Sequence, residues 1–587
     1  MPGKLTHLDE EGRSVRSLSG RTSATSLVAL VTLLGVAQGV ACSGDARDEW
    51  QPSADRPRLL GASFVESPEA PLSGTLKVTV DRPASLTIAV VAADASGHRL
   101  EIASSRASTE HEIPVIGLRS ARSYALTVTA ADARGTSSDA VVVQRLTPPL
   151  PADFPPLRVV ASQPSRSGLT LFPVSRWKGY GVDRWGYVIA VDAAGEVVWY
   201  ASTRSTVADV QRGARGQIRF MFDERGVAEL SPLGKLERAL LAEGPRRDPS
   251  SVEAGVVPVA VDTIHHDVIE LPNGHWLALA TESRTITPTQ CPTYDKTYEV
   301  VGDVVVELDP ASGAVLGKVS MFDLLDPCRR VDTAFKSAFW APVYGAGSAD
   351  WTHANAVFYD PSRNAVLVSL RHQDWVVAYR YAADAGGPAG SLLYRFGADG
   401  DFSLGGDGAL FPYHQHAARV LPDGHLSLFD NGNTRPGTDD TNLAMLPASR
   451  AVEYELSMSG PRSTWKATQV WQYGAGEVRQ VDTSTGKPFD VGYYAPVVGD
   501  AVYTPDGTVL ITEGALMSPA NGFVLDPAVK KSARVVEVER RGEPRVVLDL
   551  RVEDPASTGY QSYLVYRATR VPSLLPPGSV TVKVTAP

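Results

Sequence analysis

The sequence predicts an all-β protein: a six-bladed β-propeller preceded by a small N-terminal β-sandwich of immunoglobulin or fibronectin type. Two observations support this fold class. Short apolar strands separated by turn residues continue almost to the end of the chain, and no long segment has the period of a helix. A hairpin pattern also recurs along the second half of the chain, which is typical of propeller blades.

An export signal is predicted for residues 1–42. A basic segment precedes the apolar run Ser26–Cys42, which is short for a membrane span and suits a secretory signal. The run ends in Gly-Val-Ala-Cys, so Cys42 is a candidate lipidated residue of a bacterial lipoprotein, although Gly39 stands where such sites usually carry Leu. A plain secretory signal is the alternative. Either predicts an exported protein, periplasmic or anchored to the outer membrane, with residues 43–56 as a polar tether.

Residues 57–147 are predicted to form the β-sandwich. Three short runs with β-type alternation support this prediction: Gly74–Val80, Ser85–Val91 and Ser123–Ala130. The Pro-rich linker 148–157 is the clearest domain boundary. The propeller is then predicted to span residues 158–587.

An internal repeat defines the blades. Three segments align without gaps over ten residues, and they begin at His266, His353 and His416. A fourth copy, beginning at Asp500, keeps the turn and lacks the histidine. Each copy is followed by a second hairpin, and two hairpins make a four-stranded blade. Two looser units near residues 168–201 and 206–241 bring the count to six.

The repeat also predicts where the histidines lie. In a propeller the first hairpin of each blade is nearest the axis, so equivalent residues of successive blades face one another. We therefore expect His266, His353 and His416 to line one arc of a single polar site; histidines that only satisfy backbone groups are the alternative. Strand alternation places His265 on the face opposite His266, and His414 on the same face as His416. The two histidines that follow turn glycines are interpreted as surface residues: His275 and His425.

Arg371 ends the strand that returns from the His353 hairpin. If its guanidinium points into the same polar site, that site holds three imidazoles and a fixed cation, which suits a tetrahedral oxyanion such as sulfate or phosphate. A solvated or salt-bridged surface arginine is the alternative. Neutral imidazoles can act as nucleophile, general base or metal ligand, and a fixed positive charge argues against the metal.

Composition and cysteine content narrow the function further. The net charge is −10 and no basic run is present, which excludes nucleic acid as an expected partner. Besides Cys42, the chain contains only Cys291 and Cys328, too few for a cysteine-based metal site. In an oxidising compartment these two can form a disulfide, and two unpaired thiols are the alternative.

Four motifs in order resemble the bacterial arylsulfate sulfotransferase family: His265-His-Asp-Val-Ile-Glu-Leu-Pro-Asn-Gly, Asp350-Trp-Thr-His-Ala-Asn-Ala, Leu370-Arg-His-Gln-Asp and Gln415-His-Ala-Ala-Arg-Val-Leu-Pro-Asp-Gly. The resemblance covers roughly residues 160–570, and residues 563–573 look like the family's final strand. It implies a six-bladed propeller with the site in its channel. It also implies sulfuryl transfer from a phenolic sulfate ester to a phenol, without a nucleotide sulfate donor or any other cofactor.

The resemblance also implies roles for individual residues. His416 matches the nucleophile, which forms a transient sulfohistidine in a ping-pong mechanism, and His266, His353 and Arg371 match the other site residues. Asn355 is placed to add a donor to the substrate. Which of His266 and His353 is the general acid stays open. Three alternatives also stay open: an aryl sulfate hydrolase, a non-catalytic anchored propeller that binds a surface glycan or protein, and a metalloenzyme. A homodimer is only the common expectation.

Overall fold

The computed structural model describes the chain from residue 56 to residue 585, apart from gaps at 164–166, 177–184, 246–254, 332–334, 407, 440–444, 446, 475–477, 482–487, 492, 518–530, 543, 554–561, 576–577 and 579. The predicted signal peptide, Cys42 and the predicted tether up to residue 55 lie outside the described residues. Among the described residues, no helix is long and apolar enough to cross a membrane.

The N-terminal domain is a β-sandwich made from one folded antiparallel sheet. Its first strands are β1 (Leu59–Glu66), β2 (Gly74–Ala92), β3 (Arg99–Val115), β4 (Ser123–Ala131) and β5 (Val141–Leu146). Register shifts between Thr79 and Leu86 bend the long strands β2 and β3. Strand β1, which pairs with the first half of β2, therefore packs over β4 and β5. Alternate side chains of β2 and β4 are buried between the layers, as their alternating sequences predict.

The linker leads into β6 (Leu157–Ser162) and then into six sheets, which are the propeller blades. Blade 1 contains β7 (Leu169–Arg176), β8 (Gly186–Val191) and β9 (Val197–Ser202). Blade 2 contains β10 (Val207–Arg212), β11 (Ile218–Phe222), β12 (Gly226–Leu230), β13 (Leu236–Ala242) and β14 (Val257–Val259). Blade 3 contains β15 (His265–Glu270), β16 (Trp276–Ile286), β17 (Tyr298–Leu308), β18 (Val315–Ser320) and β19 (Ala349–Asp350). In these three blades neighbouring strands are antiparallel, except for the short parallel additions β14 and β19, and β24 is a similar parallel addition in blade 5.

Blades 4 to 6 follow the same plan. Blade 4 contains β20 (Ala354–Asp360), β21 (Ala365–Leu370), β22 (Trp375–Arg380) and β23 (Leu392–Phe396). Blade 5 contains β24 (Ser403–Gly405), β25 (His416–Val420), β26 (Leu426–Asp430), β27 (Arg450–Ser457) and β28 (Lys466–Tyr473). After a separate hairpin of β29 (Val478–Val481) and β30 (Pro488–Val491), blade 6 contains β31 (Asp500–Tyr503), β32 (Thr508–Met517), β33 (Lys531–Glu539) and β34 (Val546–Val552). The helical segments that the structure describes in full are short: α1 (Met321–Leu324), α2 (Ala341–Tyr344) and the 3₁₀ turns Arg371–Gln373 and Arg462–Thr464.

Apolar cores lie between neighbouring blades, so the inner strands of each blade are covered on both faces. Strands β8 and β21 are buried at every position, which explains why their sequences read as continuous apolar runs rather than alternating ones. One core joins blades 2 and 3, and another joins blades 4 and 5. This packing fixes the positions of the innermost strands, where the predicted site residues lie.

The two ends of the propeller segment close the ring. Blade 1 receives its innermost strands from the C-terminal segment, as β35 (Tyr563–Leu564) and β36 (Thr569–Val571), and blade 6 receives β6 as its outermost strand. A cavity of about 440 Å³ is lined by innermost strands of all six blades, which places it on the central axis. The predicted six-bladed propeller is confirmed. The last strand, β37 (Thr581–Thr585), lies inside the range 158–587 predicted for the propeller, and it pairs instead with β3 of the N-terminal domain.

Arg567 lies on the axis among carboxylates from three other blades. Its Nη1 lies 3.0 Å from Asp267 Oδ1 and 3.4 Å from Asp209 Oδ1, and its Nε lies 3.9 Å from Asp500 Oδ2. Its Nη2 donates a hydrogen bond of 2.9 Å to the carbonyl of Asn355 in a fourth blade. Burial raises the pKa of Asp209 to about 7, and the neighbouring carboxylates Asp267 and Asp500 contribute to this rise. Arg567 therefore ties the C-terminal segment to blades 2, 3, 4 and 6.

Replacing Arg567 by methionine is expected to lower the free energy of unfolding by about 3–5 kcal/mol, because buried carboxylates lose the cation that compensates them. Urea denaturation followed by tryptophan fluorescence measures the change. The matched control is Arg462→Met, which removes an exposed arginine paired with Asp401 at 3.4 Å and should cost less than about 1 kcal/mol. Equal losses for the two variants would contradict a special role for Arg567.

Candidate active site

The innermost strands of blades 3, 4 and 5 each contain a β-bulge at the end where the aligned histidines lie. The register shifts fall between His265 and Val268, between Ala354 and Ala356, and between His416 and Arg419. A bulge re-aims the side chains beside it, and such bulges are frequent next to active sites. The three histidines therefore leave regular strand geometry together, at one end of the channel.

The bulge in blade 3 overturns one prediction. His266 has a backbone φ of 57°, in the left-handed region, so its side chain does not continue the strand alternation. Its Nδ1 lies 2.8 Å from Nδ1 of His265. The prediction that the two rings occupy opposite faces is wrong, because alternation holds only in a regular strand.

The three aligned histidines are buried close to one another. The ring centres of His266 and His353 are 5.0 Å apart, and a charge on His416 acts on both rings. Burial lowers the pKa of all three well below the usual value, and positive groups lower it further; for His353 and His416 the largest of these electrostatic effects comes from Arg371. All three rings are therefore neutral at neutral pH, and a neutral imidazole is the nucleophilic form.

Arg371 lies in the 3₁₀ turn that follows β21, and its side chain is buried. Its Nη1 contacts His372 Nε2 at 2.9 Å, and its Nη2 donates to the carbonyl of Pro496 at 3.0 Å. Its Nε has no partner, and within the described part of the chain the guanidinium forms no ion pair. Burial lowers its pKa to about 10, so it stays positive at neutral pH. A buried cation with only neutral partners is suited to an anionic ligand.

Asn431 fixes the tautomer of His416. The amide nitrogen of Asn431 donates to the carbonyls of Ala495 and Val498, at 2.6 and 2.8 Å. Its Oδ1 is therefore the atom that faces His416 Nδ1, at 2.6 Å, and it accepts the Nδ1–H hydrogen. The lone pair of His416 is then on Nε2, which bonds to none of the described residues. This is the arrangement that a nucleophilic imidazole requires.

Asp350 fixes the ring of His353 in a similar way. Its Oδ2 lies 2.7 Å from His353 Nδ1, and both side chains are buried. Burial raises the pKa of Asp350 to about 7, so at neutral pH the pair holds a proton in a substantial fraction of molecules. When Asp350 is protonated, its hydroxyl donates to Nδ1 of the neutral His353 ring, and the ring hydrogen is then on Nε2. For His266 the nearby carboxylate is more distant, since its Nδ1 contacts His265 Nδ1 at 2.8 Å and lies 3.5 Å from Oε2 of Glu224.

Aromatic side chains from the insertion between blades 3 and 4 cover the histidines. Cys291 and Cys328, the pair for which the sequence allows a bridge, form a disulfide with an S–S distance of 2.05 Å, which links the loop between β16 and β17 to this insertion. Further along, the half-buried ring of Phe339 lies 4.6 Å from His353 and 5.5 Å from His266, measured between ring centres. The site therefore has an apolar aromatic surface next to its polar groups.

The remaining sequence-predicted residues have other contacts. The amide nitrogen of Asn355 donates to the carbonyl of Gln415 at 2.8 Å, so this side chain holds the backbone next to His416; its proposed donation to substrate stays a prediction. His414 bonds Asp374 at 2.9 Å. His275 and His425 follow their turns and contact Glu307 and Glu453, at 2.7 and 2.5 Å, away from the three aligned histidines.

Two groups of side chains near the site have the composition of a metal site: Glu224, His265 and His266, and Asp350, His353 and His372. In the first, the two Nδ1 atoms are 2.8 Å apart, closer than the roughly 3.3 Å between two nitrogens on a tetrahedral zinc ion. In the second, His372 Nε2 accepts from Arg371, so Nδ1 carries its hydrogen and donates to the carbonyl of Asp350 at 3.0 Å. Neither group is arranged to hold an ion.

Sequence motifs of a known family cover both domains. A family model for arylsulfotransferases matches residues 159–561, and a model for the Ig-like domain of arylsulfotransferases matches residues 67–146. The chain belongs to the arylsulfotransferase family. The family resemblance predicted from the four motifs is thereby confirmed.

Curated relatives include the arylsulfate sulfotransferase AssT of Escherichia coli O6:H1, which is 26% identical over 338 residues, covering 51% of this chain and 52% of the relative. The protein of the same name from Lelliottia amnigena is 26% identical over 303 residues, covering 46% of each chain. The chain thus spans about half the length of the curated relatives it matches. Among solved structures, a protein of unknown function from Bacteroides caccae aligns with a TM-score of 0.35 and 13% identity, covering 69% of this chain and 99% of that chain.

Proposed function

We propose that this protein is an arylsulfate sulfotransferase, which moves a sulfuryl group from a phenolic sulfate ester to a phenol through a sulfohistidine on His416. Family membership supports the reaction class. The observation that carries the proposal is the buried guanidinium of Arg371, whose Nε has no partner and which forms no ion pair with a carboxylate among the described residues. A sulfate ester brings the single negative charge and the oxygen acceptors that this cation needs.

In the first half-reaction, Nε2 of His416 attacks the sulfur, and the bond between sulfur and the phenolic oxygen breaks. Arg371 holds oxygens of the sulfuryl group as charge builds on them, and preorganised donors of this kind contribute several kcal/mol in enzymes. The attack leaves positive charge on the imidazole, and the hydrogen bond from Nδ1–H to Asn431 stabilises it.

The leaving phenolate receives its proton from His353. The Asp350–His353 pair supplies that proton through Nε2, and Asp350 ends the step as a carboxylate next to a neutral ring. The phenol acceptor then binds, and the same pair removes its proton while its oxygen attacks the sulfur of sulfohistidine. Each turnover thus restores both the nucleophile and the proton. This choice of His353 as the acid rests on its carboxylate contact of 2.7 Å, which is shorter than the 3.5 Å between His266 Nδ1 and Glu224.

The half-buried ring of Phe339 supports an aryl substrate. Its contacts with His353 and His266 place an aromatic face beside the reacting groups, where a phenyl ring can stack. The proposal also includes export of the enzyme, as predicted from residues 1–42. The disulfide between Cys291 and Cys328 supports this location, because such bonds persist in oxidising compartments.

The test is the reaction of the purified protein with 4-nitrophenyl sulfate, with and without an added phenol. We expect nitrophenol release to require the phenol, and mass spectrometry of a donor-only sample to show about 80 Da of added sulfuryl on the peptide that contains His416. Continuous release without acceptor would replace the transferase with a hydrolase. A protein that neither releases nitrophenol nor becomes labelled would overturn the enzymatic proposal in favour of a binding propeller.

A further inference from the structure

His372 is a buried residue next to Arg371 that the proposed mechanism does not use. Arginine has no acceptor atom, so the 2.9 Å contact between Arg371 Nη1 and His372 Nε2 requires the lone pair of the imidazole on Nε2. The hydrogen of His372 is then on Nδ1, where it bonds the carbonyl of Asp350 at 3.0 Å. Both ring nitrogens are occupied, and the ring has a single orientation.

The ring of His372 also contacts a second member of the site. It stacks on His353 with ring centres 4.4 Å apart and an angle of 26° between the planes. The charged and titratable groups that act on it are Asp350, His353, Arg371 and His414, and burial is the main reason why its pKa lies well below the usual value. His372 is thus neutral at neutral pH, as its contact with the guanidinium demands.

A neutral acceptor orients the guanidinium of Arg371 without cancelling its positive charge, whereas a carboxylate would cancel it. Most buried arginines are held by carboxylates, which fix the geometry but also cancel the positive charge. Here an imidazole and the carbonyl of Pro496 fix Nη1 and Nη2, and neither carries a charge. The guanidinium is therefore oriented, and neither of these two hydrogen-bond acceptors neutralises the positive charge that attracts an anion.

We propose that His372 is a positioning residue for sulfuryl transfer, which orients the guanidinium of Arg371 through a neutral acceptor and so keeps its charge for the sulfuryl group. The proposal rests on the proposed function, since it assigns Arg371 to the sulfuryl oxygens. It extends that function, because the role of His372 is exerted only through Arg371 and not by contact with substrate.

Three substitutions of His372 separate the effect of its hydrogen-bond acceptor from the effect of the charge on that acceptor. Gln keeps a neutral acceptor at a similar distance, Leu removes the acceptor, and Glu places a carboxylate beside Arg371. We expect His372→Leu to lower kcat/KM for 4-nitrophenyl sulfate by about a hundredfold, as misplacement of a catalytic group by about 1 Å does. His372→Gln should stay within about tenfold of the wild type, and His372→Glu should fall at least as far as His372→Leu. The matched control is His275→Gln at an outer turn, which should not change the rate.

A double-mutant cycle with Arg371→Met provides the readout that a merely structural role would not move. If His372 acts through Arg371, His372→Leu should have little further effect once Arg371 is gone, so the two losses should not add. Thermal unfolding of each variant shows whether it is folded, and His372→Gln keeps the test decisive if His372→Leu does not fold. Additive losses, or a His372→Gln variant as slow as His372→Glu, would overturn the proposal. Failure of the wild type to transfer sulfuryl at all would instead overturn the proposed function.

Discussion

Replacing His416 by alanine is expected to abolish sulfuryl transfer, with a loss in kcat on the order of 10⁴-fold or more, as occurs when a covalent nucleophile is removed. The physical reason is that the other two aligned histidines have different hydrogen-bond partners at Nδ1. Nδ1 of His416 is bound to Asn431 and its Nε2 bonds to none of the described residues, whereas Nδ1 of His266 contacts another imidazole and Nδ1 of His353 contacts a carboxylate. The measurement is acceptor-dependent release of nitrophenol, together with the mass of the donor-treated peptide.

The control for this variant is His425→Ala, which removes a turn histidine paired with Glu453. It should retain both the rate and the added mass of about 80 Da. Labelling of a different histidine in His416→Ala would contradict the assignment and identify the true nucleophile. Asn431→Ala provides a graded test, since it removes the acceptor that fixes the tautomer but keeps the imidazole; a partial loss is expected.

The positions of the three histidines could be predicted because they belong to a repeat. A repeated hairpin places equivalent residues at equivalent distances from the axis, whatever the details of each blade, and the structure places His266, His353 and His416 at one end of the channel. The blade count followed in the same way. These features depend on patterns that recur along the chain, which a single sequence displays.

The partners of the histidines could not be predicted from the repeat, because they lie outside it. Asp350 belongs to a short strand before β20, and Asn431 follows β26. Neither has an equivalent at the same position in the other histidine blades that would have singled it out. His372 and Phe339 were missed for a similar reason, since their contacts depend on a 3₁₀ turn and on an insertion rather than on strand register.

Non-local strand pairing and irregular backbone explain the remaining differences between the predicted and the observed structure. Strand β37 pairs with β3, whose residues lie more than 450 positions earlier in the chain, and no local pattern in the sequence indicates such a partner. The neighbours His265 and His266 were separated onto two faces by a rule that assumes a regular strand. A left-handed residue at a bulge breaks that rule, and functional sites are where such irregularities concentrate.

Replacing Asp350 by asparagine is expected to slow transfer from unsubstituted phenyl sulfate by about 10³–10⁴-fold, and transfer from 4-nitrophenyl sulfate far less. Asparagine keeps the size of the side chain and a hydrogen bond to His353, but it has no proton to supply. Loss of a carboxylate behind a catalytic histidine costs about 10⁴-fold in serine proteases. A nitrophenolate leaves readily without a proton, whereas a phenolate does not, so the deficit should grow as the leaving group becomes more basic.

The measurement is kcat/KM across a series of substituted phenyl sulfates, for the wild type and for Asp350→Asn. The matched control is Asp374→Asn, which removes the carboxylate paired with His414 at 2.9 Å and should lower kcat/KM equally across the whole series.

Since burial raises the pKa of Asp350 to about 7, higher pH removes the proton that the Asp350–His353 pair shares. Wild-type activity towards phenyl sulfate should therefore fall above pH 7 before activity towards 4-nitrophenyl sulfate does. An equal loss across the series in Asp350→Asn would show that Asp350 only supports the fold, and would return the acid role to His266.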